Sequence, residues 1–113
     1  MDNLVDSRMK TPIAHNAPYM EVGLQGYRVR ALYDTGSNTT IVSSTLARQL
    51  GLRWEPYYGT FRQASGTRAQ FIGKLGKVVV QFHDSLAVIT QGIRVMEAED
   101  KELQMILGMD IFN

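Results

Sequence analysis

The chain predicts an all-β domain, a small closed, barrel-like structure with one short helix. Three observations lead there. Several segments of four to eight residues alternate apolar and polar side chains at the period of a strand. Turn residues separate them. A helical period occurs once, and there is no strand–helix–strand alternation of the kind that builds parallel sheets.

The first eighteen residues are mixed and polar, with Pro12 and Pro18 as breakers, and are expected to form an N-terminal arm (1–18) ahead of the folded domain (19–113). Tyr19 to Leu24 alternates as a half-buried strand. Gln25-Gly26 is a turn signal, and Tyr27 to Tyr33 alternates again, so the two segments should pair as a hairpin. Asp34-Thr35-Gly36-Ser37-Asn38 has turn composition and should be a loop. Thr39 to Val42 regains strand character. Ser43 or Ser44 can cap a short helix that Gly51 stops. Trp54 to Thr60, with Pro56 inside, predicts an irregular or edge segment. A second hairpin is expected from Phe61 to Ile72, with Ala64-Ser65-Gly66-Thr67 at its tip. Lys77 to Phe82 and Leu86 to Thr90 read as two more strands, and Gly92 to Met96 as an extension of the second. Glu97 to Glu102 is a charged loop, and Met105-Ile106-Leu107 a short buried strand before Gly108.

Composition narrows the function. The chain has 113 residues, 44% hydrophobic and 20% charged, as expected for one globular domain. Its 12 basic and 11 acidic residues give a net charge of +1, too balanced for a nucleic-acid-binding surface. With no cysteine, disulfides, thiolate metal sites and cysteine nucleophiles are excluded. Only His15 and His83 could supply imidazole, so no metal and no cofactor are expected. No apolar run reaches the ~20 residues of a membrane span. The N-terminus lacks the pattern of a signal peptide, so the expectation is a soluble intracellular domain.

The residue most suited to chemistry is Asp34. Apolar residues lead into it, and a carboxylate at the end of a core strand is costly unless solvated or hydrogen-bonded. The adjacent Thr35 can donate a hydrogen bond, and Gly36 lets the backbone turn and lets another chain approach. Taken alone, Asp-Thr-Gly is also an ordinary turn. Other candidates have plainer readings. His83 and Asp84 are adjacent in a strand and so face opposite ways. Trp54, Tyr57 and Tyr58 suit core or edge packing. Glu97, Glu99, Asp100 and Glu102 lack a calcium-loop pattern.

Three ordered motifs resemble the retropepsin-like aspartic proteases of retroviruses, LTR retrotransposons and pararetroviruses. Ala31-Leu32-Tyr33-Asp34-Thr35-Gly36-Ser37 is similar to the family's catalytic signature. Ala64-Ser65-Gly66, followed by Ile72-Gly73, is similar to its flap. Ile106-Leu107-Gly108-Met109-Asp110 is similar to its C-terminal glycine motif, in the form common among retrotransposons. The resemblance covers about Tyr19 to Phe112 and implies a fold, a mechanism and a set of roles. Two carboxylates share one proton and activate a water, because like charges that close cannot both ionise. No second Asp-Thr/Ser-Gly occurs: Asp84-Ser85 runs into Leu86 and Asp110 into Ile111. The partner is therefore expected to be Asp34 of a second copy, in a two-fold homodimer. By resemblance, Thr35 holds the paired loops together. Gly36, Asn38, Ala64, Ser65, Gly66 and Ile106 contact the peptide substrate, and the expected activity is aspartic endopeptidase processing of a viral or transposon polyprotein. Only Ile111, Phe112 and Asn113 follow Asp110, leaving no residues for the family's final interface strand, so the dimer is expected to be weak or substrate-induced. A non-catalytic relative that binds extended peptides is the alternative.

Overall fold

The computed structural model describes residues 19–34, 36–62, 68–83, 86–97 and 105–112. The expected N-terminal arm, 1–18, lies outside the described residues.

Strand β1 (Tyr19–Leu24) buries Val22 and Leu24 and pairs antiparallel with β2 (Tyr27–Tyr33), which buries Val29 and Ala31. Gln25 and Gly26 close the hairpin with φ of 50° and 86°, the left-handed pair that a tight two-residue turn requires. Gln25 also ties the turn to the next strand over. Its backbone N donates to the Val79 carbonyl at 3.1 Å, and the Val79 N donates to Gln25 Oε1 at 2.8 Å.

Strand β3 (Ile41–Ser43) runs straight into helix α1 (Ser44–Gln49). Ser43 is the N-cap, its Oγ accepting from Leu46 N at 3.0 Å, which satisfies one of the free N–H groups of the first turn. Gly51, at φ 70°, supplies the left-handed exit. The helix buries Leu46 and Ala47 in the main core.

Strands β4 (Trp54–Arg62) and β5 (Arg68–Leu75) form the second hairpin around 63–67. The Trp54–Thr60 segment is thus a regular edge strand except for a register shift between Pro56 and Gly59, where proline has no N–H to give the ladder. Trp54 packs against the core, and any side chain at Gly73 would fall on its indole ring. Strands β6 (Val78–His83) and β7 (Leu86–Thr90) form a third hairpin.

The segment after β7 differs from expectation. Gly92, at φ 87°, breaks the chain, and Arg94–Met96 forms a separate strand, β8, that leaves β7 to pair with β3 and β5. Strand β9 (Met105–Leu107) inserts between β2 and β3, parallel to the first and antiparallel to the second. A 3₁₀ turn, Met109–Phe112, follows and lays Phe112 edge-on against Tyr33, with ring centroids 5.6 Å apart.

The described residues form one nine-stranded sheet, ordered β4-β5-β8-β3-β9-β2-β1-β6-β7, curled into a half-barrel in keeping with the all-β fold class. One face holds the main core, including Val29, Ala31, Val42, Val95, Met105 and Leu107. Because strand side chains alternate, the opposite face receives Leu32, Ile41, Met96 and Ile106, and these form a second, smaller cluster with Phe71 and Tyr57. Strand β9 is apolar at every position because it is covered on both faces.

Candidate active site

Asp34 is the first residue beyond β2, two past Leu32, so strand alternation puts it on the face of the second apolar cluster. Its backbone N continues the β2–β9 ladder, donating to the Leu107 carbonyl at 3.0 Å. The chain then turns sharply. Ser37 N donates to the Asp34 carbonyl at 3.1 Å, and Gly36 N donates to Asp34 Oδ1 at 2.9 Å. One carboxylate oxygen is thereby aimed, while Oδ2 accepts no bond among the described residues. The side chain is half-buried, so it can be both held and reached.

Behind this turn lies a second loop, Gly108 to Asp110, and the two are braced together. Met109 N donates to the Ser37 carbonyl at 2.8 Å. Thr40 Oγ1 accepts from Gly108 N at 3.0 Å and donates to Asp110 Oδ1 at 2.6 Å, while Thr40 N donates to Asp110 Oδ2 at 3.1 Å. Ser37 Oγ adds a local brace, donating to the Thr39 carbonyl at 2.8 Å and accepting from Thr39 N. The loops touch so closely that a Cβ on Gly108 would sit 2.6 Å from the Thr39 carbonyl carbon and oxygen.

Asp110 was legible only as the last letter of a motif. The structure makes it the clamp on Thr40, which is 1% exposed. Both Asp110 oxygens are committed to Thr40, so this carboxylate is not the second member of a catalytic pair. Glu21 is likewise engaged, by Arg28 at 2.8 Å, on the β1–β2 hairpin. Replacing Asp110 with Ala would leave the N–H and hydroxyl of a buried threonine without their acceptor. We expect a loss of about 2 kcal/mol in stability, read by urea unfolding. A loss under about 0.5 kcal/mol, the range of ordinary surface changes, would show that the clamp carries no load.

The expected contact residues divide. Gly36 and Asn38 are exposed beside Asp34, and a Cβ on Gly36 would meet Asp34 Oδ1 at 3.3 Å. Ile106, 8% exposed, pairs in register with Leu32 and Ile41 and lines the face that carries Asp34. Its neighbours Met105 and Leu107 point the other way, into the main core. Thr35 and the hairpin tip, Ala64, Ser65 and Gly66, lie outside the described residues. Of the aromatic residues, Trp54 and Tyr57 pack as expected, and Tyr58 is 76% exposed. A cavity of about 410 Å³ lies at the β1–β2 hairpin, lined by Glu21, Gly23, Tyr27, Arg28 and Gln81 among others. None of its lining residues belongs to the Asp34 turn, and the chemistry is to be sought at Asp34.

The chain as a whole is similar to known proteins. The family described as "gag-polyprotein putative aspartyl protease" matches residues 20–113. DNA damage-inducible protein 1 of Neurospora crassa is 28% identical over 117 residues, covering 95% of this chain and 26% of that protein. Its namesake in Chaetomium globosum is 30% identical over 95 residues, covering 82% of this chain and 20% of that protein. The chain thus spans about a quarter or less of these relatives. Among solved structures, the EIAV protease complexed with the inhibitor HBY-793 superposes with a TM-score of 0.63 at 21% identity, covering 85% of each chain. The retroviral protease-like domain of Ddi1 from Leishmania major gives 0.59 at 18% identity, covering 83% of this chain and 73% of that one. These likenesses support the retropepsin fold expected from the motifs.

Proposed function

Because the chain belongs to the gag-polyprotein aspartyl protease family, we propose that it is an aspartic endopeptidase that works as a homodimer and cuts extended polypeptide through a water held between two Asp34 carboxylates. The observation that carries this reading is the mounting of Asp34. One oxygen is fixed by Gly36 N, and the backbone is locked to Leu107 and, through Ser37 and Thr40, to the Gly108–Asp110 loop. A group positioned this firmly suits a reaction in which placement and proton state set the rate.

Each chain supplies half a site. In the dimer one carboxylate of the pair takes a proton from the water, and the other, protonated, polarises the scissile carbonyl. The apolar face formed by Leu32, Ile41 and Ile106 takes an apolar substrate side chain next to the scissile bond. Gly36 and Asn38, exposed at the rim, supply contacts to the substrate backbone. The family's name ties it to gag polyproteins, and we take a polyprotein containing such a domain as the natural substrate, cut in the host cell or within virus-like particles.

The test is incubation of the pure protein with a mixed peptide library at mildly acidic pH. New termini absent from an Asp34→Asn control support the reading. Peptides retained whole would make the domain a binder instead. The homodimer carries its own expectation. When dimers are scarce, catalysis is second order in protein, so specific activity should climb as enzyme concentration rises from nanomolar to micromolar. Constant specific activity from a protein that sediments as a monomer would exclude a shared site.

A further inference from the structure

The face that carries Asp34 ends in an unusual pair. Strand β8 places Arg94 beside Ile41 of β3 on one side and directly opposite Lys74 of β5 on the other. Residues in register share a face, so both cations stand on the side of Leu32, Ile41 and Ile106. Like charges directly opposite one another on neighbouring strands destabilise a sheet. Here both lean on a single ring: Arg94 Cζ lies 4.4 Å, and Lys74 Nζ 5.1 Å, from the centroid of Tyr57. One Arg94 N–H donates to the Gly92 carbonyl at 2.7 Å. Among the described residues neither cation forms a salt bridge. Glu55 is opposite Lys74 in register but exposed, and Glu97 is exposed one residue past β8. Arg94 faces no acid across either ladder.

A repulsive pair costs stability and is relieved when an anion sits between its members. The ring of Tyr57 offsets part of that cost and fixes the two head groups in place. From β2, which delivers Asp34, to β8 is three steps across the sheet, or roughly 14 Å at about 4.8 Å per strand. An extended peptide covers that in about four residues.

Resting on the protease reading for the cleft, we infer that Arg94 and Lys74, held on Tyr57, form a subsite for an acidic substrate side chain. The substrate then carries Asp or Glu within about four residues of the scissile bond, beyond the apolar residue seated on Leu32 and Ile106. The guanidinium supplies charge-assisted, directional hydrogen bonds, and the ammonium adds a second charge.

The test uses extended peptides that scan Glu against Gln at each position on either side of the cut. Two readouts are taken: cleavage by the wild-type protein, and binding to the Asp34→Asn protein by fluorescence anisotropy. The expected result is a preference for Glu at one position of about fivefold to tenfold. It should fall close to one in Arg94→Gln. It should turn into a preference for Lys over Gln in Arg94→Glu, a gain that misfolding cannot produce. Lys74→Gln and Lys74→Glu serve the same purpose if the Arg94 variants do not fold. Binding with the Glu preference but without cleavage upholds the subsite and sinks the protease reading. Cleavage with no acidic preference, or with a preference that survives both Arg94→Gln and Lys74→Gln, overturns the subsite. Failure of every peptide to bind or be cut overturns both.

Discussion

Asp34→Asn is expected to remove cleavage while leaving the protein folded. Asparagine keeps the shape of the side chain, and its Oδ1 still accepts from Gly36 N, which lies 2.9 Å from the aspartate oxygen. The other braces of the turn do not involve the carboxylate: Asp34 N to Leu107, Ser37 N to the Asp34 carbonyl, and Met109 N to Ser37. Stability should therefore change by no more than about 0.5 kcal/mol, as for most surface positions. Chemistry has no such reserve. The amide can neither take a proton from water nor share one with its partner, and in a homodimer one substitution disables both halves of the site. Asp110 cannot substitute, because both of its oxygens are bound to Thr40. A fall in kcat/KM of at least about 10⁴-fold is the scale seen when a member of a catalytic constellation is lost. The measurement is steady-state cleavage by pure mutant protein, with a thermal melt in parallel. Turnover above about 1% of wild type in a normally folded mutant would show that another group does the chemistry.

What could be read from the amino acids follows the range of the interactions. The β1–β2 hairpin, the cap of α1 and the β6–β7 hairpin depend on neighbours in sequence. Gln25-Gly26, Ser43 and Gly51 mark their ends in plain sight. Strand β8 was missed as a separate element because Ile93-Arg94-Val95-Met96 alternates as smoothly as a continuation of β7. The partners that draw it away, β3 and β5, are fixed only by tertiary pairing, and the break rests on the positive φ of Gly92. At the site, Asp34, Gly36 and Ile106 stood out through motif and order. Asp110 closes the same motif as Ile106, but its role is not visible there, since that role lies in Thr40, 70 residues earlier. The pairing of Arg94 with Lys74 was likewise invisible: it exists only because a bulge between Phe71 and Gly73 shifts the register of β5. Tyr57 was legible as a packing residue, which it is, but not as the ring on which two cations rest.

Gly108→Ala is expected to damage stability and activity together, and by more than the size of a methyl group suggests. Gly108 is buried where the Asp34 turn and the C-terminal loop cross. An added Cβ would lie 2.6 to 2.7 Å from the backbone N, C and O of Thr39. A flexible side chain could swing aside, but these are main-chain atoms, and they are fixed by Ser37 Oγ on one side and by the Thr40–Asp110 clamp on the other. To fit the methyl group, the two loops must separate by several tenths of an ångström. That strains the bond from Gly108 N to Thr40 Oγ1 and the bond from Met109 N to Ser37, both of which set the height of the Asp34 turn. Overpacking of this kind costs typically 1–3 kcal/mol, and the rigid neighbours place Gly108 at the upper end, about 3 kcal/mol. Moving a positioned carboxylate by even ~1 Å can cost about 10²-fold in rate. Urea unfolding and kcat/KM, measured at a concentration where the mutant remains folded, separate the two effects. A mutant with wild-type stability would mean that the loops do not cross as tightly as drawn. A mutant that is destabilised but fully active at low temperature would detach the brace from catalysis, leaving Gly36 N alone to aim Asp34.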